Sequence, residues 1–191
     1  GAWAVVLAIA LIPGWLNAFL ISSLLMDRPP ALCLDRQDFP PVTLLIAAYN
    51  EEDYIGQTLT SIARQDYPAD IEVIVIDDGS GDSTPQIVTA VAAEMDGVRL
   101  LQPGHGGKAA ALNCGLAEAS NEYIISIDAD TWLHPEAIKR LMARFLSDPP
   151  GTAAVAGGVL TRNSRTNFMT RMQEWDYFLA IASVKRQQAL Y

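Results

Sequence analysis

Two carboxylates one residue apart, in Asp128-Ala129-Asp130, follow the apolar run at 124–127 directly. At a strand end such a pair offers hard oxygen ligands of the kind Mg2+ or Mn2+ shares with substrate phosphates and water. A D-x-D triplet alone is more often a turn or a helix cap, and its place after a strand raises its weight. His134 follows within reach of a metal there, although a position before Pro135 suits a helix start better. Asp77 and Asp78 close a second apolar run, where a carboxylate accepts from a uracil ring N–H or from ribose hydroxyls. The plain alternative is an Asp-Gly turn with Ser80 and Asp82 capping the next helix. Gly104-His105-Gly106-Gly107-Lys108 offers backbone N–H groups and one ammonium at a helix N-terminus, which favours a diphosphate. This is no P-loop, because Gln102 stands for the first glycine and Ala109 for the Ser/Thr after the lysine. It does match G-x-G-x-x-A through Gly104, Gly106 and Ala109, so an oxidoreductase binding NAD(P) at 104–109 is an alternative. Against it, the dinucleotide fingerprint belongs in the first βα turn and here falls in the third.

These residues need elements to place them. Short apolar runs at 42–47, 71–76, 98–101, 123–127 and 153–160 predict five strands, and the β-branched run 71–76 reads as buried on both faces. Helical periodicity falls between them. Ile55, Leu59, Ile62 and Ala63 share one face, and Ile87, Val88, Val91 and Met95 another, within 84–95. The stretch 109–119 is a helix of small residues; Pro135 opens a helix whose Ile138, Leu141, Met142 and Phe145 point inward. A long helix is expected from about 167 to 191, with Phe168, Met172, Trp175 and Leu179 on one stripe. Alternating β and α units of this size imply an α/β fold, a mainly parallel sheet flanked by helices. Ligands bind such sheets outside the carboxyl ends of the strands. Tyr49-Asn50-Glu51-Glu52, Asp77-Asp78-Gly79-Ser80, the glycine-lysine loop and Asp128-Ala129-Asp130 all lie there, at one edge.

The 191 residues are 50% hydrophobic yet carry 22 acidic against 13 basic side chains. A net charge of −9 argues against nucleic acid as a partner, and the apolar content excludes intrinsic disorder. Between Gly1 and Met26, 20 of 26 residues are apolar and none is charged. As a helix, 2–26 spans ~37 Å, enough for a bilayer core with some tilt. Pro13 and Gly14 are tolerated in such a helix, and Trp3 suits an interface. A signal peptide would want a basic start, a shorter apolar stretch and a cleavage site. Arg28 and Arg36 follow at once, placing what comes after Met26 on the cytoplasmic side of an inner membrane by the positive-inside tendency. Cys33 and Cys114 lack metal-ligand spacing and the density of a disulfide scaffold, which fits a reduced compartment.

Ala48-Tyr49-Asn50-Glu51, Asp77-Asp78-Gly79-Ser80, Gly107-Lys108 with Ala111-Leu112-Asn113, and Asp128-Ala129-Asp130 resemble, in order and spacing, the family-2 glycosyltransferases of GT-A fold. Downstream, Gln173, Asp176-Tyr177 and Arg186 are similar to a segment of the processive membrane synthases of hyaluronan, chitin and poly-N-acetylglucosamine. The resemblance implies a transmembrane helix at 1–26, a linker at 27–41, a nucleotide-sugar-binding domain at 42–166, and the start of an acceptor-side helical segment at 167–191. It implies a UDP-sugar donor, UDP-N-acetylglucosamine above others, a polysaccharide or glycan acceptor, and Mg2+ or Mn2+ as cofactor. By motif Asp77, less surely Asp78, holds uracil; Ala48, Tyr49, Asn50 and Glu51 the nucleoside; Lys108, with Asn113 beside it, the base or diphosphate. Asp128 and Ala129 then face ribose or sugar, and Asp130 is the principal metal ligand with Asp128 beside it. Gln173, Asp176 and Arg186 are acceptor-side candidates; the plain alternative is the polar face of an amphipathic helix. The family's general base and its Gln-x-x-Arg-Trp motif do not occur by Tyr191. The chain is therefore expected to bind donor and metal without transferring sugar alone, which a transfer assay checks. A non-catalytic nucleotide-sugar-binding subunit is the remaining alternative.

Overall fold

Four parallel strands carry the architecture of this computed structural model, which describes residues 14, 15, 18, 19, 22, 32–35, 38–158 and 169–172. The strands are β1 (Val42–Ala48), β2 (Ile71–Asp77), β3 (Val98–Leu101) and β4 (Tyr123–Asp128). They pair in the order β3-β2-β1-β4, with Val42 opposite both Ile71 and Tyr123 and Val73 opposite Val98. The helices are α1 (Ile55–Ala63), α2 (Thr84–Glu94), α3 (Lys108–Glu118) and α4 (Ala137–Ser147). This is the fold class expected from the alternation of strand and helix periods.

Side-chain parity along the strands sorts the core into two layers. Val42, Leu44, Ile46, Val73, Val75 and Ile127 face Ile55 and Leu59 of α1, Val88 of α2, and Ile138 and Met142 of α4. Leu45, Ile74 and Ile76 face the other way, onto Ala111 of α3. β1 and β2 are buried on both faces, which is why they read as unbroken apolar runs.

The small residues of α3 have a packing reason. A Cβ built on Gly115 would stand 2.6 Å from Ile76 Cδ1 and 3.2 Å from Leu45 Cδ2, so the helix rides close on the sheet. Gly115→Ala gains about 1 kcal/mol of helix propensity but forces an overpacked contact costing typically about 1–3 kcal/mol. A net loss of about 1 kcal/mol in urea-unfolding free energy is expected.

The segment before β1 joins the core, with Phe39 buried, Leu34 packed beside it and Tyr67 Oη donating to the Pro40 carbonyl at 2.5 Å. Burial, helped by Tyr123, pushes the Tyr67 hydroxyl up to about 12.

The fifth strand is a correction. Residues 152–158 form no strand; alanine and glycine dominate this stretch and have little β preference, while 159–160 lie outside the described residues. By internal contacts the chain divides into two units, Leu32–Val155, and Gly1–Ala31 with Ala156–Tyr191. In the second, residues 14, 15, 18, 19 and 22 are helical, and Trp15 stacks on Phe19 at 5.8 Å. Among the described residues no helix is long and apolar enough to cross a membrane; most of the expected span at 2–26 lies outside them. So does most of the expected terminal helix, of which 169–172 are seen as helix.

Candidate functional site

All four strands run the same way, so their carboxyl ends meet at one edge, and the loops leaving them build a cleft of about 280 Å3. Its walls are Ala47, Ala48, Tyr49, Glu51, Asp78, Lys108, Asp128, Ala129 and Asp130. Eight of the expected site residues thus come together. Asp77, Asn50 and Asn113 are not among the walls. Gln173, Asp176 and Arg186 lie outside the described residues.

The loop after β1 is fixed by the loop after β2. Asn50 sits at φ 54°, a left-handed conformation that asparagine tolerates. It turns the chain so that its Oδ1 accepts from Gly81 N at 2.8 Å while its own N–H donates to Ser80 Oγ at 2.9 Å. Glu51 N donates to Thr84 Oγ1 and Glu52 N to Asp82 Oδ2, and Ser83 N donates back to Glu52 Oε2. Asp82 Oδ1 accepts from Thr84 N at 3.0 Å at the start of α2, so this aspartate both caps and clamps. Asn50 therefore acts by shaping the turn that presents Tyr49 and Glu51. The Tyr49 ring is half exposed and leans on the His105 ring with centroids 5.2 Å apart.

The adjacent aspartates after β2 do different work. Asp77 continues the buried parity of Val73 and Val75, and its carboxylate accepts from Ser80 N at 3.2 Å and Gln102 Nε2 at 3.1 Å. Asp78 reaches the cleft wall and draws in the glycine loop. Its Oδ1 accepts from Gly106 N at 2.7 Å and Gly107 N at 3.1 Å, its Oδ2 from Gly107 N at 2.9 Å. The hydrogen bond from Gly106 above all, then that from Gly107 and the nearby His105, hold its carboxyl below the usual range despite burial.

That arrangement corrects the reading of the glycine loop as a diphosphate cradle. The two glycine N–H groups are taken by an internal carboxylate, as the sequence alone could not show, because Asp78 lies 28 residues away from Gly106 along the chain. What the loop gives the cleft is Lys108, whose Nζ meets Asp128 Oδ1 at 2.5 Å. The NAD(P) alternative loses ground for the same reason, and because β3, which feeds this loop, is the edge strand rather than the central first strand the fingerprint needs.

β4 delivers Asp128 on the parity of the α3 face, beside Lys108, while Ala129 turns inward and is buried. Asp130 is exposed, and among the described residues no hydrogen bond or ion pair engages its carboxylate. Glu51 completes an acidic corner. Its carboxyl is raised, first by burial and then by the negative charges of Asp130, Asp82 and Asp128. Four of the nine wall residues are carboxylates and one is a cation. Among the described residues no three or more His, Cys, Asp or Glu side chains close a complete metal cage. Asp128 and Asp130 still fit a divalent cation, as two hard oxygen donors that leave positions for phosphate oxygens and water. His134 takes the plainer of its two roles, its Nδ1 accepting from Glu136 N at 3.3 Å where α4 begins.

Three residues were absent from the sequence reading. His105 touches both Tyr49 and Asp78. Thr58 and Ser61 of α1 are fully buried polar side chains bonded to the segment after β4. Their spacing of three on a helix already rich in apolar residues was the available signal.

A parallel α/β sheet with an acidic, cation-demanding cleft at its carboxyl edge defines a nucleotide-binding class of protein. Within that class the chain belongs to glycosyl transferase family 2, whose sequence pattern matches residues 43–191. It is similar to the poly-beta-1,6-N-acetyl-D-glucosamine synthase of Staphylococcus aureus (strain MSSA476), 32% identical over 165 residues, covering 86% of this chain and 39% of that protein. The synthase of the same name from Staphylococcus epidermidis is 30% identical over 188 residues, covering 98% of this chain and 45% of that one. The chain thus spans less than half the length of these curated relatives. Among solved structures, a mannosyltransferase from Pyrobaculum calidifontis in complex with GDP-Man and Mn2+ is 31% identical. It superposes with a TM-score of 0.63 over 78% of this chain and 44% of that one.

Proposed function

We propose that the chain is the donor-binding part of a membrane-anchored inverting glycosyltransferase that moves a sugar from UDP-N-acetylglucosamine to a growing polysaccharide. One observation carries the reading most. The cleft that must take an anionic sugar diphosphate is itself acidic, with Glu51, Asp78, Asp128 and Asp130 against Lys108. A diphosphate enters such a site only with a divalent cation to bridge the like charges. Asp130 and Asp128 are the residues to hold that cation, which supplies Lewis-acid stabilisation of the departing diphosphate when bound.

The remaining residues divide the donor among them. Tyr49, backed by His105, offers a ring face for the base, and Asp78 rather than the buried Asp77 offers an acceptor for its ring N–H. Lys108 sits where it can exchange its contact with Asp128 for a phosphate oxygen. Relatives named as poly-beta-1,6-N-acetyl-D-glucosamine synthases support the choice of sugar and of a polysaccharide acceptor. The Mn2+ in the mannosyltransferase complex supports a metal-dependent donor site. The uncharged apolar stretch from Gly1 to Met26 supports anchoring to a bilayer with the cleft on its cytoplasmic side. Gln173, Asp176 and Arg186 are proposed for the acceptor side.

Calorimetry on the full chain tests the donor reading. UDP is expected to bind at least ~10-fold more tightly with Mn2+ or Mg2+ than with EDTA, a gain of about 1.4 kcal/mol, and NAD(H) not to bind. Metal-independent binding of NAD(H) with no response to UDP would remove the proposal.

A further inference from the structure

We infer that Thr58 is a positioning residue for the metal-binding carboxylates, acting through the Ala129 carbonyl; the inference rests on the donor-binding reading above. Thr58 lies on α1 and is 1% exposed. Its Oγ1 donates to the Ala129 carbonyl at 2.7 Å across 71 residues of sequence. That carbonyl belongs to the residue between Asp128 and Asp130. Holding it fixes a planar peptide unit in the short stretch from which both carboxylates project.

Thr58 is the first of three rungs. Ser61 Oγ accepts from Leu133 N at 3.1 Å and donates to the Thr58 carbonyl at 2.7 Å. Gln65, just past the end of α1, uses both ends of its amide, donating to the His134 carbonyl at 2.8 Å and accepting from Ile138 N at 3.1 Å. Positions 58, 61 and 65 fall on one face of the helical period. They tie down the segment between β4 and α4, which has no sheet or helix ladder of its own until Ala137.

Packing alone does not account for Thr58. Valine would fill the same space with no hydroxyl to satisfy, and a buried hydroxyl is favourable only where it finds a partner. The partner lies where the chain most needs restraint. Glu51, Asp128 and Asp130 repel one another before a cation arrives, and a loop free to relieve that repulsion would splay its carboxylates apart. A hydrogen bond from a rigid helix to the middle of the triplet keeps the pair aimed into the cleft. This is the supporting contact that metal ligands require.

The test separates metal binding from nucleoside binding in the full chain. Mn2+ is titrated in the presence of UDP and followed by the paramagnetic resonance of the free ion, while uridine binding is measured in parallel. Thr58→Val is expected to weaken Mn2+ uptake ~10-fold, as loss of an outer-shell partner does, and to leave uridine affinity unchanged; Thr58→Ser restores Mn2+ uptake. Unchanged Mn2+ affinity, or an equal loss for Mn2+ and uridine, overturns the inference. If Thr58→Val does not fold, Ser61→Ala removes the next rung and is expected to give the same split, and full Mn2+ affinity there overturns it equally. A wild-type chain that takes up no Mn2+ with UDP overturns the donor-binding reading itself, and the inference with it.

Discussion

Asp130→Ala makes UDP binding indifferent to Mn2+ and lowers sugar transfer by the full-length enzyme roughly 10^3-fold, equivalent to about 4 kcal/mol of transition-state stabilisation. The expectation follows from how the two carboxylates of the triplet are engaged. Asp128 already shares its Oδ1 with Lys108 at 2.5 Å, so part of its charge is answered within the protein. Among the described residues Asp130 has no such partner, stands exposed at the cleft, and adds to the field that raises Glu51. It is the carboxylate with most to gain from a cation. Removing it also relieves Glu51, so metal-free UDP is expected to bind no worse to Asp130→Ala than to the wild type. Asp128→Ala differs in kind, because it frees Lys108 for the diphosphate and gives a smaller loss. Isothermal titration of UDP with Mn2+ and with EDTA checks the pattern; metal-dependent binding retained in Asp130→Ala would contradict it.

Much of this was legible in the sequence because the signals are local. The runs at 71–76 and 98–101 mark β2 and β3 to within a residue, since strands buried on both faces are apolar without interruption. The sheet's carboxyl edge was legible as the site because every strand there is followed by polar or charged residues, a coincidence that turn chemistry does not produce four times. What failed was non-local. Asp77 and Asp78 look interchangeable on paper, yet strand parity buries one against Gln102 and sends the other to the cleft. The glycine loop looked like an anion cradle until Asp78, from another strand end, took its N–H groups. Thr58 and Ser61 were passed over because the apolar stripe of α1 was the stronger signal, and their partners lie 71 and 72 residues on. The stretch at 153–160 misled for the opposite reason, since a run of alanine, valine and glycine carries hydrophobicity without β preference.

At the other end of the sheet, Glu72→Ala is expected to lower the unfolding free energy by about 2 kcal/mol while leaving UDP binding unchanged. Glu72 lies near the start of β2, away from the cleft, and gathers three elements onto one carboxylate. It accepts from Thr43 Oγ1 of β1 at 2.6 Å, from Ser120 N and Oγ ahead of β4 at 2.9 Å each, and from Arg99 Nη2 of β3 at 3.1 Å. Arg99 also meets the carbonyl of Glu118 at the end of α3. The exposed Ser120 and the partly exposed Arg99 regain water when the carboxylate is removed, so their shares are small. Thr43 is fully buried, although Asn121 Nδ2 donates to it at 3.1 Å and leaves it one partner. Burial by itself would raise the Glu72 carboxyl, but the hydrogen bonds from Thr43, Ser120 and Arg99 together outweigh it and hold the group below the ordinary range. A folded-state value lower than the unfolded one means that the ionised form stabilises the fold. That contribution is fully present above the unfolded value of roughly 4.3 and is lost as pH falls through the lower folded value. Glu72→Gln, which cannot ionise, is therefore expected to be less stable than the wild type near neutrality and to lose less on acidification. Urea unfolding at pH 7 and at pH 3 measures both differences, and a wild type and a Glu72→Gln variant that lose stability in parallel would show that the carboxylate's charge contributes nothing to the fold.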